Sequence, residues 1–322
     1  MGIKRKIVIS LITGTTLLAY KAYKSEVEKH QEERYSSGIL PTDEDLLRSP
    51  KYKHVVIFGV DGAGASVTDC YTPRFDEIFK DGNINYNGIA EYPTQSAENW
   101  SSMFTGMSPQ KHQDSNARAA LMPKSSKYPT FFKIHSLSDP EASFVSIVNW
   151  TPVNKGLIEN DIENMFKDSP EGIDSVVTDE NVTALALEKL NEKVPTILFL
   201  QYDSVDDMGH AYGGGSKHYR QCIEILDKHL GEIYDFYKEK GLLDDTLFIY
   251  VTDHGHTLKG GHGGDTALEK ETMIALSGKD VIKGSSGKYL SRDLASIVLY
   301  ALGDKQPEHM EGRVPRNLFK NL

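Results

Sequence analysis

Three apolar, β-branched and aromatic runs in this chain each lead into a carboxylate. Residues 55–60 run into Asp61, residues 196–201 into Tyr202-Asp203, and residues 247–252 into Asp253. Runs of this length and composition read as buried strands, and residues 143–148 and 273–276 repeat the pattern. Between them lie helix-like stretches at 73–80, 97–104, 182–193, 218–240 and 291–302. The last of these opens on Ser291 as an N-cap and ends before Gly303, which suits a terminating glycine. Strands alternating with helices predict an α/β fold, a mostly parallel central sheet with helices on both faces.

In such a sheet the carboxyl ends of the strands share one rim, where ligands gather. The carboxylates of Asp61, Asp203 with nearby Asp206, and Asp253 then converge, and unpaired they would repel and raise one another's pKa. A divalent cation removes that penalty. A single Asp after a strand can equally cap the next helix, but three such ends, two of them followed by histidine, favour the cation.

The histidines strengthen the case. Asp253-His254-Gly255-His256 is followed within one loop by Gly261-His262-Gly263, and Asp206 stands four residues before His210, so one helical turn brings that pair to one face. Asp61, Asp206, His210, Asp253, His254 and His262 supply six oxygen and nitrogen donors. That is too many for one tetrahedral zinc and suits two ions. Imidazole content puts Zn²⁺ first, with Mn²⁺ compatible. His30, His54, His112, His135, His218, His229, His256 and His309 are by default surface or packing residues, as is Lys259 in the loop before His262.

Composition narrows the partners. Thirty-six Lys and Arg against 46 Asp and Glu give a net charge of −10 over 322 residues, which excludes sequence-independent nucleic-acid binding. A phosphate ligand has to be attracted locally. The two cysteines, Cys70 and Cys222, have no Cys-x-x-Cys spacing, so neither a thiolate zinc site nor a disulfide scaffold is available. At the N-terminus Lys4-Arg5-Lys6 precedes an uncharged stretch, residues 7–20, shorter than the roughly 20 residues of a full membrane span. It predicts a signal peptide or signal anchor over 1–23, against a buried soluble helix, with a charged stalk over 24–50 and the catalytic body over 51–322. The positive-inside bias places that body outside the cytoplasm, membrane-anchored or secreted.

Several short stretches in fixed order carry a resemblance: Gly59-Val60-Asp61-Gly62, Thr72-Pro73-Arg74-Phe75-Asp76, Tyr92-Pro93-Thr94-Gln95-Ser96, Phe104-Thr105-Gly106-Met107-Ser108-Pro109, Asp206 to His210, Asp253-His254-Gly255 with Gly261-His262-Gly263, and Leu302-Gly303 with Pro307, Gly312 and Pro315. Over residues 54–322 the chain resembles the alkaline phosphatase superfamily. Within it, the chain is most similar to the nucleotide pyrophosphatase and phosphodiesterase branch and the phosphoethanolamine transferases of lipid-anchor synthesis. The resemblance implies one metal held by Asp206, His210 and His262, and another held by Asp61, Asp253, His254 and the nucleophile. Ser96 fills the nucleophile position, where relatives usually carry Thr. A helix N-cap at Ser96 is compatible with that role, because a helix N-terminus also favours phosphate. A metal ion makes a serine hydroxyl nucleophilic near neutral pH, so no histidine base is needed. Asn116, 20 positions after Ser96, fills the place of an asparagine that contacts a phosphoryl oxygen, with Asn99 as the alternative.

The expected activity is a two-metal phosphoryl-transfer hydrolase acting on phosphodiesters or pyrophosphates, its substrate a small-molecule or lipid-head-group phosphate ester. The short spacing from His254 to His262 favours the alternative of a phosphoethanolamine-type transferase. Phosphomonoester hydrolysis and a catalytically inactive metal-binding module are the remaining readings. A sulfatase needs a Cys-x-Pro or Cys-x-Ala motif at the nucleophile, whereas Cys70-Tyr71-Thr72-Pro73 has other spacing and another place. Specificity is expected from residues 107–135 and 150–180 on the rim.

Overall fold

The three acid-terminated runs are the three central strands of one sheet. In the computed structural model, which describes residues 38–39, 50–124 and 127–320, β2 (His54–Val60) lies between β6 (Ile197–Tyr202) and β7 (Thr246–Thr252), parallel to both. The register pairs Val60 with Tyr202 on one side and with Thr252 on the other. Asp61, Asp203 and Asp253, each one residue further on, therefore leave the sheet level with one another.

The remaining strands are β3 (Asn83–Ile89), β4 (Phe144–Val148), β5 (Met165–Asp168), β8 (Glu271–Ser277) and β9 (Tyr289–Leu290), in the order β5-β4-β6-β2-β7-β8-β3-β9. Only β8 runs against its neighbours, so the sheet is mostly parallel as expected. A two-residue strand, β1 (Gly38–Ile39), pairs antiparallel with β10 (Val314–Pro315).

Among the described residues, eight α-helices of six residues or more cover the sheet: α1 (Pro73–Phe79), α2 (Ser96–Thr105), α3 (Asn116–Leu121), α4 (Phe131–Ser138), α5 (Ser175–Glu192), α6 (Ser204–Tyr212), α7 (Lys217–Glu239) and α8 (Asp293–Leu302), with single turns between some of them. Successive side chains on a strand point to opposite faces, and each face builds its own core. Val55, Ile57, Phe199, Leu247 and Ile249 pack with Trp100 and Phe104 of α2, Phe131 and Phe132 of α4, and most of α8. Val56, Phe58, Val60, Leu200, Phe248 and Tyr250 pack with Phe75 and Phe79 of α1, Val182 and Leu190 of α5, and Leu226 and Leu230 of α7. Each large side chain withdrawn from water this way contributes on the order of 2 kcal/mol. The central strands are apolar throughout because both faces are covered.

Differences from the sequence reading have local causes. Helix α5 begins at Ser175 rather than 182, because Asp174 caps it by accepting from the Val177 N–H at 2.9 Å. Ser291 is not the N-cap of α8; that position is Arg292, and the Ser291 hydroxyl donates instead to Asn99 Oδ1 at 3.2 Å. Gly303 does end the helix, at φ 82°. Strand β3 escapes apolar patterning because its Asn83 and Asn85 face inward, where their amides donate to the carbonyls of Ile282 and Gly287. The N-terminal segment, residues 1–23, and most of the stalk lie outside the described residues. Among the described residues no helix is long and apolar enough to cross a membrane.

Candidate active site

Asp61 and Asp253 each have one oxygen occupied by N–H donors and another directed into the cluster. Asp61 Oδ2 accepts from Trp100 Nε1 at 2.8 Å and from Gln201 Nε2 at 3.0 Å. Its Oδ1 faces the Ser96 hydroxyl, which donates to it at 3.3 Å, and His254 Nε2 at 3.4 Å. Asp253 Oδ1 accepts from the backbone N–H groups of Gly62 and His254, at 3.0 and 2.8 Å. Its Oδ2 is buried without a hydrogen-bond partner, 3.3 Å from His254 Nε2.

The histidines are oriented by the same logic. A carbonyl can only accept, so His254 Nδ1 donates to Gly255 O at 3.3 Å and Nε2 carries the lone pair. That lone pair lies 3.2 Å from Ser96 Oγ. His262 Nδ1 likewise donates to Thr94 O at 2.8 Å, leaving its Nε2 lone pair 3.1 Å from His210 Nε2. Asp206 Oδ2 is 3.2 Å from His210 Nε2, four residues along α6 as the spacing predicted. Ligand atoms of Asp206, His210, His256 and His262 all lie within 4.8 Å of one another, and so do those of Asp61, Asp206 and His254. Asp206 therefore stands where two ligand groups meet, and the rings of His254 and His262 stack at 3.8 Å between centroids.

Charge crowding and burial shift the ionisation of these groups. Burial, with Asp253 and Asp206 close by, pushes the Asp61 carboxyl well above its ordinary range. Burial likewise lifts Asp253 to about 8, Asp206 adding to it. Asp203 is raised by burial and by Asp61 and Asp206. Burial opposes ionisation of Asp206 too, yet hydrogen bonds to His210 and His256 hold it well below the usual carboxylate range. Burial and the nearby His262 keep His254 neutral well below its ordinary pKa. A bare Asp253 oxygen, two imidazole lone pairs aimed into the cluster and three mutually repelling carboxylates form a donor set that fits divalent cations.

Ser96 is the first residue of α2; Gln95 holds the cap position without a side-chain cap bond. The hydroxyl is thus free of the capping role and turned toward Asp61. Asn116, the first residue of α3, reaches the same helix end: its Oδ1 accepts from the Ala97 N–H at 2.8 Å and its Nδ2 donates to Gln95 Oε1 at 3.1 Å. Asn99 is fully buried and spent on structure, its Oδ1 accepting from Glu91 N and the Ser291 hydroxyl and its Nδ2 donating to Gln95 O. Lys259 is exposed. Cys70 lies before α1, its Sγ–H donating to Ser66 O.

All seven expected metal ligands meet in one place. Sequence reasoning passed over the groups that orient them: Trp100, Gln201, the Thr94 carbonyl and His256. Two of these carried a signal. Trp100 stands four residues after Ser96 and so shares its helix face, and Gln201 is the one amide in an otherwise apolar strand of six residues. Gly62 is required where it stands: its φ is 67°, and a Cβ there would meet Asp206 Oδ1 at 2.6 Å.

The chain is similar to known proteins in sequence and in fold. A stretch of 124 residues, 37% of this chain, is 30% identical to GPI ethanolamine phosphate transferase 3 of Schizosaccharomyces pombe, and the chain spans 13% of that curated relative's length. Murine ectonucleotide pyrophosphatase/phosphodiesterase 5, in an inactive form bound to AMP, superposes with a TM-score of 0.66 at 16% identity, over 80% of this chain and 97% of its own. The lipoteichoic acid synthase LtaP of Listeria monocytogenes superposes with a TM-score of 0.60 at 12% identity, over 92% of this chain and 82% of its own. At these identities the two structures share the fold. The model of the type I phosphodiesterase / nucleotide pyrophosphatase family matches residues 55–113 and 137–317, which include every ligand at the rim and Ser96. The chain therefore belongs to the type I phosphodiesterase/nucleotide pyrophosphatase family, within the alkaline phosphatase superfamily.

Proposed function

We propose that this protein is a two-ion phosphoryl-transfer enzyme acting on phosphodiesters: the Ser96 oxygen attacks phosphorus and displaces one alcohol, which leaves carrying the serine proton, and a second alcohol then takes the remaining alcohol-substituted phosphoryl group as its own proton returns to Ser96 Oγ. The observation that carries this reading is the place of the Ser96 hydroxyl. It stands at the start of α2, 3.3 Å from Asp61 Oδ1 and 3.2 Å from His254 Nε2. Ions held by Asp61, Asp253 and His254, and by Asp206, His210 and His262, would supply the positive charge that makes a serine hydroxyl nucleophilic and offsets charge on the phosphoryl group. Zinc suits the imidazoles and Mn²⁺ the carboxylates.

The chain's own residues do the positioning. Asp61 accepts the Ser96 proton in a hydrogen bond and so turns the oxygen's lone pairs toward incoming phosphorus. The positive end of the α2 dipole lies at Ser96 and favours negative charge there. Asn116 is anchored by two bonds and keeps a second Nδ2 hydrogen to offer a phosphoryl oxygen.

The motif pattern puts hydrolysis first. The eight-residue step from His254 to His262 and the similarity to a GPI ethanolamine phosphate transferase support transfer instead, and with it a phosphoethanolamine-type head group as donor. The basic start and uncharged stretch at the N-terminus support a site outside the cytoplasm, held at a membrane or secreted. The test is a product assay with p-nitrophenyl phosphoethanolamine and an alcohol acceptor, followed by ³¹P NMR. A new diester of the acceptor supports transfer; phosphoethanolamine alone makes the protein a hydrolase. No consumption of any diester refutes both.

A further inference from the structure

His256, two residues after His254, is the one histidine at the rim that the motif pattern leaves without work. Its side chain is fully buried, and its Nε2 lies 2.7 Å from Asp206 Oδ1, the shortest side-chain contact that Asp206 makes. The ring stands nearly perpendicular to those of His210 and His262, with centroids at 5.0 and 5.1 Å. The backbone makes room for it. Gly209 lies in the interior of α6, between Asp206 and His210, and a Cβ there would meet the imidazole at 2.5 Å. Glycine in a helix interior costs about 1 kcal/mol against alanine. A Cβ at Gly214 would approach His256 Cβ to 3.0 Å and its carbonyl oxygen to 2.7 Å. Helix and loop are thus shaped around this ring.

The tautomer separates two roles. Nδ1 of His256 is buried with no hydrogen-bond partner. If Nε2 gave its lone pair to a metal, Nδ1 would have to carry a proton and leave a buried N–H unmade, which costs more than a bare acceptor. If Nε2 carries the proton, it donates to Asp206 Oδ1 and only an acceptor lone pair is orphaned. Oδ2 then stays with His210.

We propose that His256 is a positioning residue for the ion held by Asp206, His210 and His262: its Nε2–H fixes Asp206 through Oδ1, so that the carboxylate presents Oδ2 to the metal. The inference rests on the two-ion reading of the site. Its test measures ion binding alone, so a failure of transfer activity with affinities intact counts against the proposed function and not against His256.

The experiment is a Zn²⁺ competition titration with a chromophoric chelator on the full chain, with the visible spectrum of the Co²⁺ form as a report on ligand number. His256→Leu should weaken one of the two sites by about 10–100-fold and leave the other within about twofold. His256→Gln, whose amide can donate to Asp206 Oδ1, should recover most of that loss with the wild-type cobalt spectrum. His256→Asn, equally polar but shorter, should not, and this comparison stands even if the leucine variant fails to fold. Unchanged affinities in both the leucine and asparagine variants overturn the proposal. So does a glutamine variant as weak as the asparagine one with an altered cobalt spectrum, which would make His256 a direct ligand.

Discussion

The Trp100 indole N–H donates to Asp61 Oδ2 at 2.8 Å, one helical turn beyond Ser96. Together with Gln201 it fully occupies the oxygen that points away from the nucleophile, and leaves Oδ1 alone to serve the site. Trp100→Phe keeps one aromatic ring in the core and removes this donor together with part of the indole. It should cost about 2–3 kcal/mol of stability, the lost hydrogen bond plus the cavity left behind, and about 10–100-fold in metal affinity or diester turnover, checked by urea unfolding and by zinc titration. Unchanged turnover and affinity would assign the indole to packing alone.

Ser96→Ala deletes the group on which the proposed chemistry depends and one of the seven expected metal ligands, and leaves the six carboxylate and imidazole ligands in place. Turnover of a p-nitrophenyl phosphodiester should fall by at least ~10³-fold, while zinc content by elemental analysis stays at the wild-type level. Most of the activity surviving would remove Ser96 from its role.

Chelation should make stability depend on pH in a defined direction. Burial and Asp206 raise the Asp253 carboxyl from 3.8 to about 8. Without ions the folded state therefore binds more protons than the unfolded state between those values, and stability falls as pH rises through that window. Added Zn²⁺ should restore the stability at pH 8 far more than at pH 5. Thermal unfolding with and without EDTA at both pH values reads this out; an equal effect of zinc at the two would show that the carboxylates are not crowded.

His112 should act in the opposite sense, away from the rim. Its Nδ1 accepts from the Asp114 N–H at 3.0 Å, and its Nε2 contacts Ser102 Oγ at 3.0 Å and Glu98 O at 3.2 Å. The neutral ring satisfies every bond, and burial lowers its pKa from 6.5 to about 4. The unfolded chain binds the extra proton first, so the stability this ring contributes is complete above pH 6.5 and is lost as pH falls toward 4. That loss is on the order of 3 kcal/mol. In His112→Asn the stability deficit against wild type should shrink as pH falls from 7 to 4, measured by chemical denaturation. A constant deficit would mean that the ring does not titrate there.

The family motifs lie on one rim because of register. Val60 pairs with both Tyr202 and Thr252, which sets Asp61, Asp203 and Asp253 level, and this much follows from apolar runs that each end on an acid. Strand β3 and the first two turns of α5 were not legible. One buries asparagines that bind loop carbonyls, and the other depends on a capping aspartate, so neither shows apolar periodicity.

What the sequence alone determined were five of the strands and the α/β layering; it also nominated Asp61, Asp206, His210, Asp253, His254 and His262 as ligands, with Ser96 added by the family resemblance. The strands and the six donors follow from local pattern and spacing, which act over a few residues. Only the tertiary structure decided which oxygen of each carboxylate is spent, which nitrogen of each imidazole is free, and that His256 reaches Asp206 across a gap opened by Gly209. Those bonds join residues 39 to 168 positions apart, and hydrogen-bond partners at that range are chosen by how the chain packs, which no local pattern encodes.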